Sequence, residues 1–303
     1  MRRETAATGC RFFYVTQANK LQFGSRHLDL DQPAVMGILN VTPDSFSDGG
    51  SFTDHDLALR HAESMLSAGA SIIDVGGEST RPGAMPVSEQ QEIDRVLPVI
   101  SAIVDRLDVI VSVDTSKAGV MRAAVAAGAN LINDVYALRQ DGALQAAASL
   151  DAAVCLMHMQ GSPATMQKNP RYENVAGDIA EFLKGRIAAC TAAGLAQERL
   201  LVDPGFGFGK NDKDNLELLH RLDEFRRLGR PILVGLSRKR TLGNLTGKSI
   251  EQRLSAGVAA AVLAVERGAS IIRTHDVAET VAALLVAQAV MKAGSHKVVM
   301  ANG

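Results

Sequence analysis

Eight short apolar runs in this chain each end on residues that can bond, carry charge or coordinate. In order these are Asn40, Asp74, Asp114, Asn133 with Asp134, His158, Asp203, Ser237 with Lys239, and Arg273 with His275. A single Asp or Asn at a strand end is ordinarily explained by loop backbone that needs a partner. Eight endings out of eight point instead to one shared polar pocket, because an apolar strand gains no stability from such an ending. The set has two chemical characters. Arg273, His275, Lys239 and Arg81 of the GGESTRPG loop supply donors suited to phosphate or pyrophosphate, and the neutral oxygen of Asn40 suits Mg2+ better than a transition metal. Asp114, Asn133 and Asp203 supply acceptors and one amide, a set suited to a flat heterocycle bearing amino and ring N–H groups. A buried carboxylate against a guanidine-like edge makes paired hydrogen bonds and rejects analogues that lack them.

Positioning such a ring requires strands that all end at one face. The runs fall at 35–40, 71–75, 109–114, 130–134, 153–158, 199–203, 231–236 and 270–274, with helical patterns between them. Three junctions repeat one another: AGASIID (68–74), AGANLIND (127–134) and RGASIIR (267–273). Each places a Gly where a helix needs a left-handed stop, then a short apolar run. Gly194 and Gly229 sit at similar stops, Thr53 is placed to cap a helix, and Ser88 with Gln91 and Ser249 with Gln252 have capping-box spacing. Eight alternating units predict an α/β fold of the (β/α)8 barrel type, whose chemistry gathers at the C-terminal ends of the strands. The stretch 21–30 alternates like a short β-hairpin and is placed to close the barrel bottom. A doubly wound sheet is the rival, but GxGxxG is missing after the first strand and polar endings are not confined to one switch point.

The expected organisation is a flexible extension over 1–20, one barrel domain over 21–295 and a tail over 296–303. With 303 residues, 47% of them apolar, the chain can bury a large core. Lys plus Arg total 32 against 33 Asp plus Glu, a net charge of -1 that gives no general attraction to nucleic acid or anionic membrane. Cys10, Cys155 and Cys190 are odd in number and far apart, which argues against a disulfide framework or a zinc site and suits a reducing cytoplasm. The apolar stretches 256–265 and 281–290 fall short of the roughly 20 residues of a membrane span. They read as packed helices or a dimer contact. Two glycine-rich segments are decoys. GNLTGKS (243–249) is one residue short of a P-loop and reads as a turn and helix cap, and in DPGFGFGK (203–210) the glycines are expected to let backbone pass close to a flat ligand.

The segments MGILNVTPDSFSDGG (36–50), IIDVGGESTRPGA (72–84), VSVDTSK (111–117), LINDV (131–135), CLMHMQG (155–161), LVDPGFGFGK (201–210), LVGLSRK (233–239) and IIRTHDV (271–277) resemble, in order, the motif series of the dihydropteroate synthase family. The resemblance implies a pterin-binding barrel and a transferase of folate biosynthesis. Such an enzyme joins a dihydropterin methyl pyrophosphate to p-aminobenzoate and is the target of sulfonamides. It also implies a homodimer in the cytoplasm that uses Mg2+. By motif, Asp114, Asn133, Met157, Asp203 and Lys239 would hold the pterin. Asn40, Thr80, Arg81, Arg273 and His275 would hold the pyrophosphate, with Asn40 on the metal. Phe46, Thr80, Pro82, Phe208, Ser237 and Lys239 would meet the aminobenzoate, and Lys239, Arg273, His275 and Asp114 would carry catalysis. Phe46, in a polar loop that reads as a lid, would cover the aminobenzoate ring. Leu236 and Thr274 depart from the residues common in the family without removing an implied contact.

Three rivals remain on the sequence. A pterin-dependent methyltransferase on a similar barrel should lack the SFSDGG and STRPG loops, which are present. A Schiff-base barrel using Lys239 is disfavoured, because that lysine lies beyond its strand. A catalytically silent pterin-binding paralogue should have lost anion ligands, whereas Asn40, Arg81, Arg273 and His275 are in place.

Overall fold

The computed structural model describes residues 20–24, 26–42, 51–79, 84–163 and 165–299 of the 303. A two-stranded antiparallel hairpin, β1 (Lys20–Phe23) and β2 (Arg26–Asp29), opens the described chain. Eight parallel strands follow: β3 (Ala34–Asn40), β4 (Ile72–Gly76), β5 (Ile110–Asp114), β6 (Leu131–Asp134), β7 (Ala153–Met157), β8 (Leu200–Asp203), β9 (Leu233–Val234) and β10 (Ile271–Thr274). The helices between and after them are α1 (Ser51–Ser67), α2 (Glu89–Arg106), α3 (Ala118–Ala126), α4 (Ala143–Ser149), α5 (Val175–Ala192), α6 (Asp212–His220), α7 (Arg240–Thr246), α8 (Leu254–Glu266) and α9 (Val277–Val299). Strand order is β8-β7-β6-β5-β4-β3-β10-β9, and a bridge from Val202 to Ile232 joins the two ends, with the Val202 N–H donating to Pro231 O at 3.0 Å. The sheet is therefore the expected (β/α)8 barrel.

Alternation along the strands divides the core in two. Residues such as Val35, Ile73, Val111, Val154 and Val202 face the helices and form the larger apolar cluster. Met36, Ile72, Ile110, Leu131, Cys155, Leu201 and Ile271 face inward and meet Leu21 and Phe23 of the hairpin. Phe23 is fully buried, which stabilises by roughly 1.5–3 kcal/mol and makes the hairpin the plug of the barrel bottom.

Local signals mostly act as their chemistry dictates. Ser88 and Gln91 form a reciprocal capping box at the start of α2. Gly69, Gly128 and Gly268, the glycines of the three repeated junctions, all adopt left-handed φ, at 98°, 106° and 103°. Ser249 differs: it precedes only a three-residue 3-10 turn and its side chain makes no capping bond. Gly247 ends α7 in the left-handed region, so GNLTGKS is a turn and cap, as expected. Thr53 falls inside α1, with its side chain outside the described residues. Of the run expected at 231–236, Leu233–Val234 form the strand and Ile232 an isolated bridge to Val202, while Pro231 has no N–H to give a ladder and contributes only its carbonyl to closure. Helix α9 continues past 295 to Val299. Among the described residues no helix is long and apolar enough to cross a membrane.

Candidate active site

The two-residue period of a strand decides which polar endings meet. Ile72, Ile110, Leu131, Cys155, Leu201 and Ile271 fill the barrel interior, so Asp74, Asp114, Asn133, Met157, Asp203 and Arg273, an even number of residues further along, lie on that same interior face. Asp134 and His158 are one residue out of phase. The Asp134 carboxylate accepts the N–H groups of Tyr136 at 2.8 Å and Leu138 at 2.7 Å, tying down a turn in which Ala137 and Leu138 have φ of 53° and 58°. His158 presents Nδ1 to Lys210 Nζ at 3.0 Å and its ring lies edge-on to Phe182, 4.9 Å between centroids. The expectation that all eight endings share one pocket is corrected here. These two serve the loops behind the barrel wall.

Inside the barrel mouth, Arg273 is the centre. Its Nε donates to Asp74 Oδ2 at 2.6 Å and its Nη2 to Asp114 Oδ2 at 2.7 Å, and Asn133 Nδ2 donates to the same Asp74 oxygen at 3.1 Å. Asp74 is fully buried, and its Oδ1 has no hydrogen-bond partner among the described residues. Burial works against the charge on Arg273, but Asp74, Asp114 and Asp203 outweigh it and hold the guanidinium protonated. Burial pushes the Asp114 carboxyl up; Arg273 opposes that shift, and Asp74 adds to it. The side chains of Arg273 and Asp114 remain 21% and 16% exposed, so both reach the pocket.

Around this centre stand the other expected groups. Asp203 is 6% exposed and accepts the Gly205 N–H through Oδ1 at 2.7 Å. Burial raises its pKa to about 6 against the Gly205 bond and the Lys239, Lys210 and Arg273 charges. Lys239 places its ammonium 4.1 Å from the Phe208 ring centroid, a cation–π arrangement. Burial, then Arg273, lowers its pKa to about 8, against Asp203 and Asp114. Ser237 Oγ lies 3.0 Å from His275 Nδ1 and accepts the His275 N–H at 3.3 Å. Between Ser237 and Lys239, Arg238 takes a left-handed φ of 58°, a conformation costing about 1–3 kcal/mol; its side chain is paired with Asp276 at 2.7 Å. Asn40 is half-buried at the end of β3, and a Cβ added at Gly76 would lie 3.7 Å from its Oδ1 and 3.8 Å from Asp114 Oδ2. Met157 belongs to a small apolar cluster with Met159 and Met166, against which Tyr136 and Phe208 pack. The pocket therefore has one apolar wall, one face of acceptors and one cationic group held between carboxylates. Phe46, Thr80, Arg81 and Pro82 lie outside the described residues.

Several structural contributors escaped sequence reading. Asp74 stands in the ring with no role that its type or spacing assigns, yet it holds Arg273. Lys117 binds both Glu78, at 2.6 Å, and the fully buried Glu92, while Arg95 donates to Gly77 O at 2.8 Å; together they brace the segment that leaves β4. The short spacing of Lys117 after Asp114 in VSVDTSK was the available signal for the first. Nothing local marks Glu92, which is one carboxylate among several on an amphipathic helix. The alternating glycines of DPGFGFGK permit close approaches within the protein. A Cβ at Gly205 would fall 1.9 Å from His158 O, and one at Gly207 would fall 3.1 Å from Lys239 Cδ.

Comparison with known proteins adds a family to this geometry. A family model described as pterin binding enzyme matches residues 36–275. The dihydropteroate synthase of Escherichia coli is 53% identical over 270 residues, covering 89% of this chain and 96% of the relative. That of Haemophilus influenzae is 52% identical, covering 90% and 100%. Among solved structures, Yersinia pestis dihydropteroate synthase in a sulfonamide drug complex superposes with a TM-score of 0.86 at 53% identity, covering 90% of this chain and 99% of that one. A Xanthomonas albilineans dihydropteroate synthase with 4-aminobenzoic acid gives 0.85 at 52%, over 90% and 98%. Another from that organism, in complex with 7,8-dihydropteroate, gives 0.81 at 46%, over 90% and 99%. The motif order, the barrel with its ring of inward polar groups and these likenesses agree: the chain belongs to the dihydropteroate synthase family of pterin-binding enzymes.

Proposed function

We infer that the chain is a transferase that joins (7,8-dihydropterin-6-yl)methyl diphosphate to p-aminobenzoate, giving 7,8-dihydropteroate and pyrophosphate. The observation that carries this reading is the Arg273 guanidinium held between Asp74 and Asp114, with Asn133 and Asp203 beside it at the same barrel mouth. Asp114, Asn133 and Asp203 are the acceptors and amide for the pterin's amino and ring N–H edge, and Met157 is the apolar surface for its face. Lys239, over Phe208, completes the pterin wall and turns toward the aminobenzoate with Ser237. Phe46, Thr80 and Pro82 join that side on the strength of the motifs. Asn40, Thr80, Arg81, Arg273 and His275 hold the pyrophosphate. Chromatography of the products tests the reading: 7,8-dihydropteroate is expected, and a methylated pterin or no new pterin would overturn it.

In the reaction the methylene C–O bond breaks and its electron pair leaves with pyrophosphate. The aniline lone pair forms the new C–N bond, and the nitrogen then gives up a proton. Aniline nitrogen is neutral and nucleophilic near pH 7, so no strong general base is required. The demanding event is departure of the anion. Arg273 meets the growing negative charge already desolvated and fixed by two carboxylates, while those carboxylates and Asp203 favour positive charge on the pterin. Among the described residues no group of three or more His, Cys, Asp or Glu is arranged for a metal. Mg2+ does not demand one, since it commonly keeps waters and takes substrate phosphate oxygens plus one or two protein oxygens, and the Asn40 oxygen beside Asp114 fits that role. When bound there, Mg2+ would neutralise pyrophosphate charge. The displacement is read as dissociative, with cationic character at the methylene. An electron-withdrawing substituent on the pterin ring is then expected to slow single-turnover chemistry by about tenfold or more, roughly 1.4 kcal/mol of barrier. Equal rates would rule the dissociative route out.

The homodimer reading rests on α8 and α9, which pack together and leave Leu263, Leu285, Val286 and Val290 exposed on their outer surface. Sedimentation is expected to give twice the 32.1 kDa chain mass, and the double substitution Val286→Glu with Val290→Glu to give the single mass. A wild-type monomer at working concentration would overturn it. Cys155 and Cys190 are free and buried, which supports a reducing cytoplasm. Recovery in a membrane or extracellular fraction would contradict that location.

A further inference from the structure

The loop from Asp203 to Lys210 is built almost wholly without backbone ladder. Gly205, Gly207 and Gly209 adopt φ of 72°, 78° and 64°, and within the loop the Phe208 N–H donates to Gly205 O at 3.1 Å. Buried carbonyls need donors, and here side chains supply most of the others. Lys210 Nζ donates to Gly205 O at 2.8 Å and Phe208 O at 2.9 Å, and meets His158 Nδ1 at 3.0 Å and His158 O at 3.4 Å. Gln167 Nε2 donates to Gly207 O at 2.7 Å, and Tyr172 donates its hydroxyl to Gly209 O at 2.6 Å. Asn215 accepts the Gly207 N–H at 2.7 Å.

Lys210 is 1% exposed and forms no ion pair within the described residues, an expensive setting for an ammonium. Its N–H donors are shared among Gly205 O, Phe208 O and the two His158 atoms, and burial lowers its pKa to about 7, with Asp203 opposing that shift and the Lys239 charge adding to it. Toward the ammonium form, His158 Nδ1 accepts and the ring carries its proton on Nε2. Burial, with the Lys210 and Arg139 charges, drives the His158 pKa down to about 2 and keeps the ring neutral. Met at 210 would fill similar volume without a charge to bury, so packing alone does not call for Lys. What the Lys210 nitrogen adds, through its bonds to Gly205 O and Phe208 O, is the shape of the loop that carries Phe208 and Gly207 against Lys239.

We propose that Lys210, aided by Gln167, is a positioning residue for the acceptor substrate: it fastens residues 205–208 so that the Phe208 ring lies beneath the Lys239 ammonium and the aminobenzoate side of the pocket keeps its form. It touches no substrate and acts through Phe208. This rests on the function proposed above.

The test uses the full-length protein and begins with the wild type; absence of turnover there would sink the functional reading and not this one. With turnover established, Lys210→Met is expected to raise KM for p-aminobenzoate by about 10–100-fold, the scale of a displaced positioning element. KM for the pterin substrate should move by less than about threefold, on the scale of 0.6 kcal/mol. In Lys210→Ala, added n-propylammonium is expected to restore the aminobenzoate KM, and n-propanol to leave it high. A folded Lys210→Met with an unchanged aminobenzoate KM, or with both KM values raised equally, would overturn the proposal. If both Lys210 variants fail to fold, Gln167→Ala decides: a selective rise in aminobenzoate KM supports the proposal, and no rise refutes it.

Discussion

Replacing Arg273 by methionine is expected to cost about 10²–10³-fold in turnover and, separately, about 3–5 kcal/mol of stability. The first loss follows from removing the cation that meets departing pyrophosphate. The second follows from what remains: Asp74 with no exposure and Asp114 nearly buried, facing one another without the guanidinium that both now hold. The sign of the pH dependence separates this account from a generic packing defect. Burial already holds the Asp114 pKa at about 7 in wild type, above its ordinary value, and without the opposing Arg273 charge it rises further. The folded chain then holds a proton that the unfolded chain has released, and stability is lost as pH rises. Urea unfolding should therefore show a smaller gap between variant and wild type at pH 5 than at pH 8. A gap independent of pH would mean that the carboxylates do not depend on Arg273.

Asp203→Asn should separate binding from folding. One carboxylate oxygen is taken by the Gly205 N–H, which leaves the other for the pterin edge. Asparagine preserves shape but presents an NH2 group where the heterocycle also donates, and loss of a charge-assisted bond of about 1.5–3 kcal/mol corresponds to roughly 10–100-fold weaker pterin binding. In wild type the Asp203 pKa stands at about 6, above the ordinary value of 3.8. Only the ionised form accepts both N–H groups, so pterin affinity is expected to climb with pH up to about 6 and level off above it. The variant should lose that climb. For the ligand-free fold the sign is opposite: a raised carboxyl pKa contributes stability at low pH that is lost between about 4 and 6. Asp203→Asn should therefore be as stable as wild type or more stable at pH 8. Titration calorimetry across pH 5–8 checks the first expectation and urea unfolding the second; unchanged affinity would remove Asp203 from the pterin edge.

The strands were legible because each is an apolar run bounded by a turn signal, and all eight appear within a few residues of their expected places. The hairpin could be read from the alternation of Leu21, Phe23 and Leu28, and its role as a plug from the rule that a barrel bottom must be filled. Facing was the weaker part. Polarity at strand ends alone places Asp134 and His158 in the ring, whereas the two-residue period carried from Leu131 and Cys155 turns them away from it. The pairing of Arg273 with Asp74 and Asp114 spans 199 and 159 residues, and no local pattern announces it. The glycines of DPGFGFGK mark close approach to His158, Gln160 and Lys239 within the protein, and the lysine at the loop's end is its internal anchor.

Condensation of a pterin pyrophosphate with an aromatic amine at these groups can be measured directly. Purified protein is mixed with dihydropterin methyl pyrophosphate, p-aminobenzoate and Mg2+, and released pyrophosphate is followed against controls lacking either substrate. Release is expected in step with dihydropteroate and only when both substrates are present. A folded protein that binds the pterin yet releases no pyrophosphate would contradict it and would make the chain a silent pterin-binding relative.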